Sequence, residues 1–373
     1  MKYKLLLSLL IVGTLFSCGD DDDAQPTLEV PQTYEFTRDG QSTVNFQGQT
    51  DRLNMVSEMK AYLSTGDAGE TLELQKLLNM YSNENSPFED PALNASTKQL
   101  KDKTFETEKK TFEELFDAAA IASTKGDAAA GVAGRIARGS GKTILVNEKG
   151  QEFTQLIEKG LMGAVFYSQI YNSYLSDAKT GDDVDNTNLE SGKNYTKMEH
   201  HWDEAFGYWG VPTDFPNGNP VLPDEYKRFW ANYTNGRDAL LGTNKTLMDA
   251  YLTGRAAIVA KRYDIKNEQK EIIYEAHELV AAGTAVHYIN EALDYFGQNQ
   301  GDFLHVLSEA YAFVKALEYS PVRKITEEQL SQIKNSDFGT EGDFWTATVA
   351  GLQNAKTTLV SVYPELEPVK DEL

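Results

Sequence analysis

From Thr50 onward, apolar residues recur at helical spacing and Gly or Pro interrupts them, so the chain must bury helical stripes against one another. The pattern predicts helices over about 51–63, 70–82, 107–123, 151–177, 196–209, 224–234, 245–264, 266–298, 301–319, 326–335 and 343–362. The joins fall at Gly210-Val211-Pro212, at Pro216 to Pro220 and at Ser320-Pro321. Hydrophobic residues fill 40% of the 373 positions, enough for a sizeable core, and the length allows about one to three domains. No short fixed repeat is visible, which argues against a solenoid. The expected fold class is all-α: two packed helical bundles, residues 34–195 and 196–373, with minor β-hairpins.

The hairpins are expected at two places. Tyr34 to Phe36 and Thr43 to Phe46 flank Asp39-Gly40, a turn pair, and Thr143 to Val146 precedes Glu148-Lys149-Gly150 within a Gly- and Ala-rich stretch over 124–150. Gly139-Ser140-Gly141-Lys142-Thr143 resembles the end of a phosphate-binding loop, but position 136 is Ile and a strand follows instead of a helix. It reads as an ordinary Gly-rich turn. Asp182 to Asn188 resembles a calcium loop, yet Asn188 and Asn194 stand where an EF-hand needs Gly and Glu, so a solvated loop is expected.

The chain carries 35 Lys and Arg against 57 Asp and Glu, a net charge of −22, with no basic block. Such a surface repels phosphate backbones, which argues against nucleic acid as a partner. The single cysteine excludes an internal disulfide and a thiolate-rich metal site. Its position says more. Lys2 and Lys4, the apolar run Leu5 to Phe16, and Ser17 before Cys18 make an export signal over 1–17, and Leu15-Phe16-Ser17-Cys18 resembles a bacterial lipobox. Cys18 is the expected lipidation site, followed by a tether over 18–33 in which Asp20 to Asp23 resembles a surface-export signal. The expected location is the outer membrane, lipid-anchored and surface-exposed, with the periplasmic face as the alternative. Without Lys2 and Lys4 the balance becomes 33 to 57, or −24, so the acidity belongs to the mature protein. The terminal Lys370-Asp371-Glu372-Leu373 reads as an endoplasmic-reticulum address in a eukaryotic protein, a reading that the lipobox and the acidic run oppose.

Metal and proton chemistry favour imidazole, and the five histidines are His200, His201, His277, His287 and His305. No HExxH zinc-protease signature or GxSxG elbow occurs. In the segment Lys197 to Gly210, Trp202, Phe206 and Trp209 form one helical stripe, while His200, His201 and Glu204 fall on the other side. His201 and Glu204 are i, i+3 neighbours and His200 and Glu204 are i, i+4 neighbours, so either pair can share a cation or a proton. A second pair, His287 and Glu291, lies in the long helix near small residues around Gly283, and His305 with Glu309 repeats the spacing. His277 is too far from His287 to share its metal, about 15 Å along the helix axis.

His201-x-x-Glu204 and the aromatic run to Gly210 resemble the GxHxxE motif of the imelysin family. The segment Glu199 to Tyr208, EHHWDEAFGY, resembles more closely a domain-of-unknown-function family of Gram-negative lipoproteins related to the imelysins, over roughly residues 34–365. The resemblance implies an exported, two-bundle helical protein with a site between the bundles, linked to iron uptake and to envelope uptake proteins as partners. His201 and Glu204 carry over; Glu199 stands where the imelysin motif has Gly. The expectation is a metal ion or metal-containing ligand, iron or zinc, held where helix 196–209 meets helix 266–298. Its candidate ligands are His201, Glu204, His287 and Glu291, with His200 and Asp203 as weaker ones. The alternatives are an imelysin-type hydrolase or peptidase, and a surface interaction protein with no metal site.

Overall fold

A computed structural model describes residues 28–216 and 222–373. The export signal, Cys18 and most of the tether lie outside the described residues. The remainder is all-α with two small antiparallel hairpins, as the periodicity predicts. The first hairpin pairs β1 (Thr37–Arg38) with β2 (Gln41–Ser42), and Asp39 and Gly40 both take positive φ in its two-residue turn, the geometry that suits the strands' twist. The helices that follow are α1 (Gln47–Asp67), α2 (Leu74–Ser82), α3 (Pro91–Ala95) and α4 (Lys109–Ser123).

The second hairpin joins β3 (Gly134–Ala137) to β4 (Thr143–Val146) through the Gly139–Lys142 turn. The Gly139 amide donates to Asp302 Oδ2 at 2.8 Å and Arg138 Nε donates to Oδ1 at 2.7 Å, so a carboxylate stands where a phosphate-binding loop would hold its anion. In the Asp182–Asn188 loop, Asp185 accepts the amides of Thr187 and Asn188, and Asp182 pairs with Lys266. Those carboxylates are engaged with the protein itself.

The helix expected over 151–177 begins as α5 (Phe153–Leu161) and continues through two π-helical stretches, Met162–Tyr167 and Ile170–Tyr174. Each widened turn rotates the side chains after it, and such bulges gather at functional sites. Then come α6 (Asp177–Thr180), α7 (Lys197–Trp209), α8 (Phe229–Leu241), α9 (Thr243–Val259), α10 (Tyr263–Tyr295), α11 (Gln300–Ala316), α12 (Glu327–Gln332) and α13 (Val349–Val362). The expected helix over 224–234 starts and ends later as α8, because burial of Trp230, Ala231 and Thr234 holds the chain helical through Asn235-Gly236 until Gly242 turns it left-handed.

The expected halves 34–195 and 196–373 share one continuous hydrophobic core. Helix α1 packs on α5 and α7, α5 packs on α11, and α10 lies between α9 and α11. The terminal residues also join it: Leu373 is buried, and Asn290 Nδ2 donates to the carbonyls of Lys370 and Leu373 at 2.9 Å. Helices α7 and α9 cross tightly at Gly254, where an added Cβ would stand 2.1 Å from Cζ2 of the fully buried Trp202. The Trp202 ring is pinned there by its Nε1 donating to the Tyr251 carbonyl at 3.0 Å. Gly254→Ala should therefore cost about 1–3 kcal/mol in urea unfolding by overpacking. A loss below about 0.5 kcal/mol, the range of an ordinary surface substitution, would show that the ring has room to move.

Candidate functional site

Helix α7 carries the segment singled out by its histidines. Its start is set by a capping box: Thr196 Oγ1 accepts the Glu199 amide at 3.3 Å, and Glu199 Oε2 accepts the Thr196 amide at 2.7 Å. Its end is set by Gly210, at φ 83. Trp202, Phe206 and Trp209 are fully buried, as the stripe predicts, and Phe206 stacks on Tyr34 at 3.8 Å between ring centroids. Glu199, which closes the capping box, thus has a structural use.

Two of the segment's carboxylates belong to a buried ionic group. Arg255, fully buried on α9, donates to Asp203 Oδ1 at 2.9 Å, to Glu199 Oε1 at 3.2 Å and to Thr43 Oγ1 at 3.1 Å. Tyr34 donates its hydroxyl to Asp203 Oδ1, and Arg38 reaches Glu199 Oε1. Burial pushes the Asp203 carboxyl up to about 6 despite the attraction of Arg255. Asp203 is therefore engaged by Arg255 and Tyr34 on the α9 side of the helix.

His201, Glu204 and His200 lie on the other side, where the partial exposure of His200 and Glu204, 22% and 18% of their side chains, opens the group to solvent. His201 Nδ1 donates to the Lys179 carbonyl at 2.8 Å, so Nε2 is the acceptor and takes a hydrogen bond from Lys179 Nζ at 3.3 Å. Burial holds this imidazole below its ordinary pKa, so it is neutral at pH 7. Glu204 accepts Gln49 Nε2 at 3.0 Å and lies 3.9 Å from His200 Nε2. His200 stacks on Tyr195 at 4.5 Å. Tyr174, at the end of the second π stretch, lies with its ring between two cations, Lys103 Nζ at 5.5 Å and Lys179 Nζ at 5.9 Å. Arg52 adds a third cation, held by the carbonyls of Gln99 and Gly48.

The second pair lies elsewhere. His287 and Glu291 are 3.7 Å apart on α10, and burial pushes the His287 imidazole down to about 4. Their surroundings are Arg237, Glu309 and His305, the last bonded through Nδ1 to Glu152 at 2.6 Å. The structure therefore groups His287 and Glu291 with His305 and Glu309, and away from His201 and Glu204. Helix α7 approaches α10 through Trp209, edge-on to His277 at 6.2 Å, and His287 lies about 15 Å further along the axis. The four expected ligands thus fall in two pairs, one on α7 and one on α10 about three turns beyond His277. Among the described residues, no group of three or more His, Cys, Asp and Glu is arranged to hold a metal ion.

Sequence reasoning missed Arg52, Lys103 and Lys179. The one signal available was that each is a cation in a strongly acidic chain, and nothing local joins the three.

Fold and site together define an all-α protein with a half-buried His/Glu centre in contact with Lys179. The chain belongs to the family described as "Domain of unknown function (DUF4856)", whose model matches residues 31–345. No curated protein and no solved structure matches it. No described helix is long and apolar enough to cross a membrane.

Proposed function

We propose that this chain is a lipid-anchored protein of the outer membrane, a relative of the imelysins, that binds a metal-containing ligand at the His201–Glu204 centre and serves iron uptake. One observation carries the reading. The Lys179 carbonyl fixes the His201 tautomer, so the Nε2 lone pair, which accepts the Lys179 ammonium at 3.3 Å, passes to a ligand beside the Glu204 carboxylate when that lysine turns aside. His287 and Glu291 lie in a different part of the molecule and Asp203 is bonded to Arg255, so His201 and Glu204, with His200 beside them, supply two or three donors where iron or zinc takes four to six. A metal held here completes its coordination with groups of its own ligand, which favours a chelate over a bare ion. The leader and Cys18 support delivery to the envelope.

Calorimetric titration of tag-free protein with ferric citrate tests this. The wild type should bind one chelate per chain. His201→Ala combined with Glu204→Ala should weaken binding about tenfold or more, the worth of a lost charge-assisted interaction. Equal affinity in the double variant would remove the centre from the ligand's path.

A further inference from the structure

Two lysines lie over Tyr174, and the charge of Arg52 acts on the same side chain, in a protein whose net charge is −22. Clustering like charges costs free energy unless something repays it, and in acidic proteins carboxylates usually do. Elsewhere in this molecule that is what happens: Lys159 sits between Glu158 and Glu309, and Arg255 between Glu199 and Asp203. Around Tyr174 the carboxylates of Glu204 and Asp102 attract Lys103, but neither forms an ion pair with it. Among the described residues no carboxylate lies within salt-bridge distance of Arg52, Lys103 or Lys179; Glu204 is near, but its 3.0 Å partner is Gln49. The Lys103 ammonium is held below its ordinary pKa by burial and by Arg52, with Lys179 adding to the repulsion.

A second observation points into the same opening. Tyr208 is fully buried, yet its hydroxyl has no hydrogen-bond partner. Its ring lies 5.9 Å from that of Tyr174; Arg52 is the side chain in reach of the hydroxyl, and as a donor it leaves the hydroxyl's own proton without an acceptor. A buried hydroxyl left unpaired is costly and calls for a partner. Beside a guanidinium and two ammonium groups, the missing partner is an acceptor with negative charge.

We propose that this opening is an oxyanion site, in which Arg52, Lys103 and Lys179 neutralise a small ligand with two or more negative charges and Tyr208 donates a hydrogen bond to it. The proposal deepens the reading that a ligand enters at the His201–Glu204 centre, and rests on it: the anion supplies the charge that would let a metal sit beside three cations. A bare divalent ion would meet their repulsion directly. Polycarboxylate and phosphate share the required chemistry, and the Glu204 carboxylate limits how many oxygens fit on its side.

The test uses full-length, tag-free protein freed of metal with a chelator and then dialysed. Metal-free citrate and inorganic phosphate are titrated in separate arms at low ionic strength, with ferric citrate as a third arm. One of the two anions should bind at one site per chain, more weakly as salt rises. Lys103→Met with Lys179→Met should weaken it about tenfold or more, while Lys103→Arg with Lys179→Arg should keep it within about threefold. Tyr208→Phe, which removes only the hydroxyl, should also weaken it. If ferric citrate binds through His201 but neither anion binds without metal, the oxyanion site is overturned and the metal-ligand reading stands. If anion binding is indifferent to both the Met pair and Tyr208→Phe, the assignment to these residues is overturned. Absence of binding in all three arms overturns both readings.

Discussion

Replacing Arg255 by Met should destabilise the fold by about 3–5 kcal/mol, because it leaves carboxylates buried without their counter-charge. Arg255 and Asp203 are both fully buried and Glu199 is 1% exposed, so water cannot substitute for the guanidinium. Asp203 answers by taking up a proton, as its carboxyl, already raised to about 6, is poised to do. Glu199 keeps Arg38 and the Thr196 amide, which limits the damage. Adding Asp203→Asn to the variant should therefore recover part of the loss, since the neutral amide needs no counter-charge. Urea unfolding of the single and double variants reads this directly. A single-variant loss below about 1 kcal/mol would mean that the ionic group contributes nothing beyond packing.

Lowering the pH should unfold the protein through His277 in particular. Its ring is fully buried on α10, against Tyr167, Trp209 and Tyr251, with Nε2 at 3.1 Å from the Tyr251 hydroxyl. Burial pushes its pKa down from 6.5 to about 3, so the folded state refuses a proton that the unfolded chain accepts. A depressed pKa contributes stability that is present above pH 6.5 and is lost as pH falls toward 3. The loss is about 1.4 kcal/mol per pH unit, or about 3 kcal/mol between pH 6.5 and pH 4. His287, pushed down to about 4, acts in the same direction. Asp67 and Asp203 act oppositely: each is raised to about 6 by burial, so their contribution is present below pH 4 and is lost as pH rises through 6. Comparing wild type with His277→Gln at pH 7.5 and pH 4 isolates the imidazole, and the stability advantage of the wild type should shrink by that amount. Parallel pH curves for the two proteins would sink the argument.

Helices, hairpins and the aromatic stripe of α7 were legible in the sequence because each is written in residues a few positions apart. Trp202, Phe206 and Trp209 mark a core face by spacing alone, and Asp39-Gly40 marks a turn by backbone preference alone. His201 with Glu204 was legible for the same reason, being one helical turn apart. The π-helical stretches were not, since one extra residue in a turn shifts the register without disturbing the apolar content of Met162 to Tyr174. Nor was the role of Asp203, which differs from Glu204 by one position and about 100° of helix rotation yet meets Arg255 instead of the opening.

Sequence alone thus determined that this is a helical protein of the DUF4856 family with a His/Glu pair on an aromatic-faced helix. Tertiary structure alone decided that His287 and Glu291 join His305 instead of His201, and that Lys103 and Lys179 lie over Tyr174, on which the charge of Arg52 also acts. The division has a physical cause. Helical periodicity is a short-range property of the chain, whereas a site built from α1, the turn before α4, α6 and α7 depends on how closely those segments pack, as Trp202 against Gly254 shows.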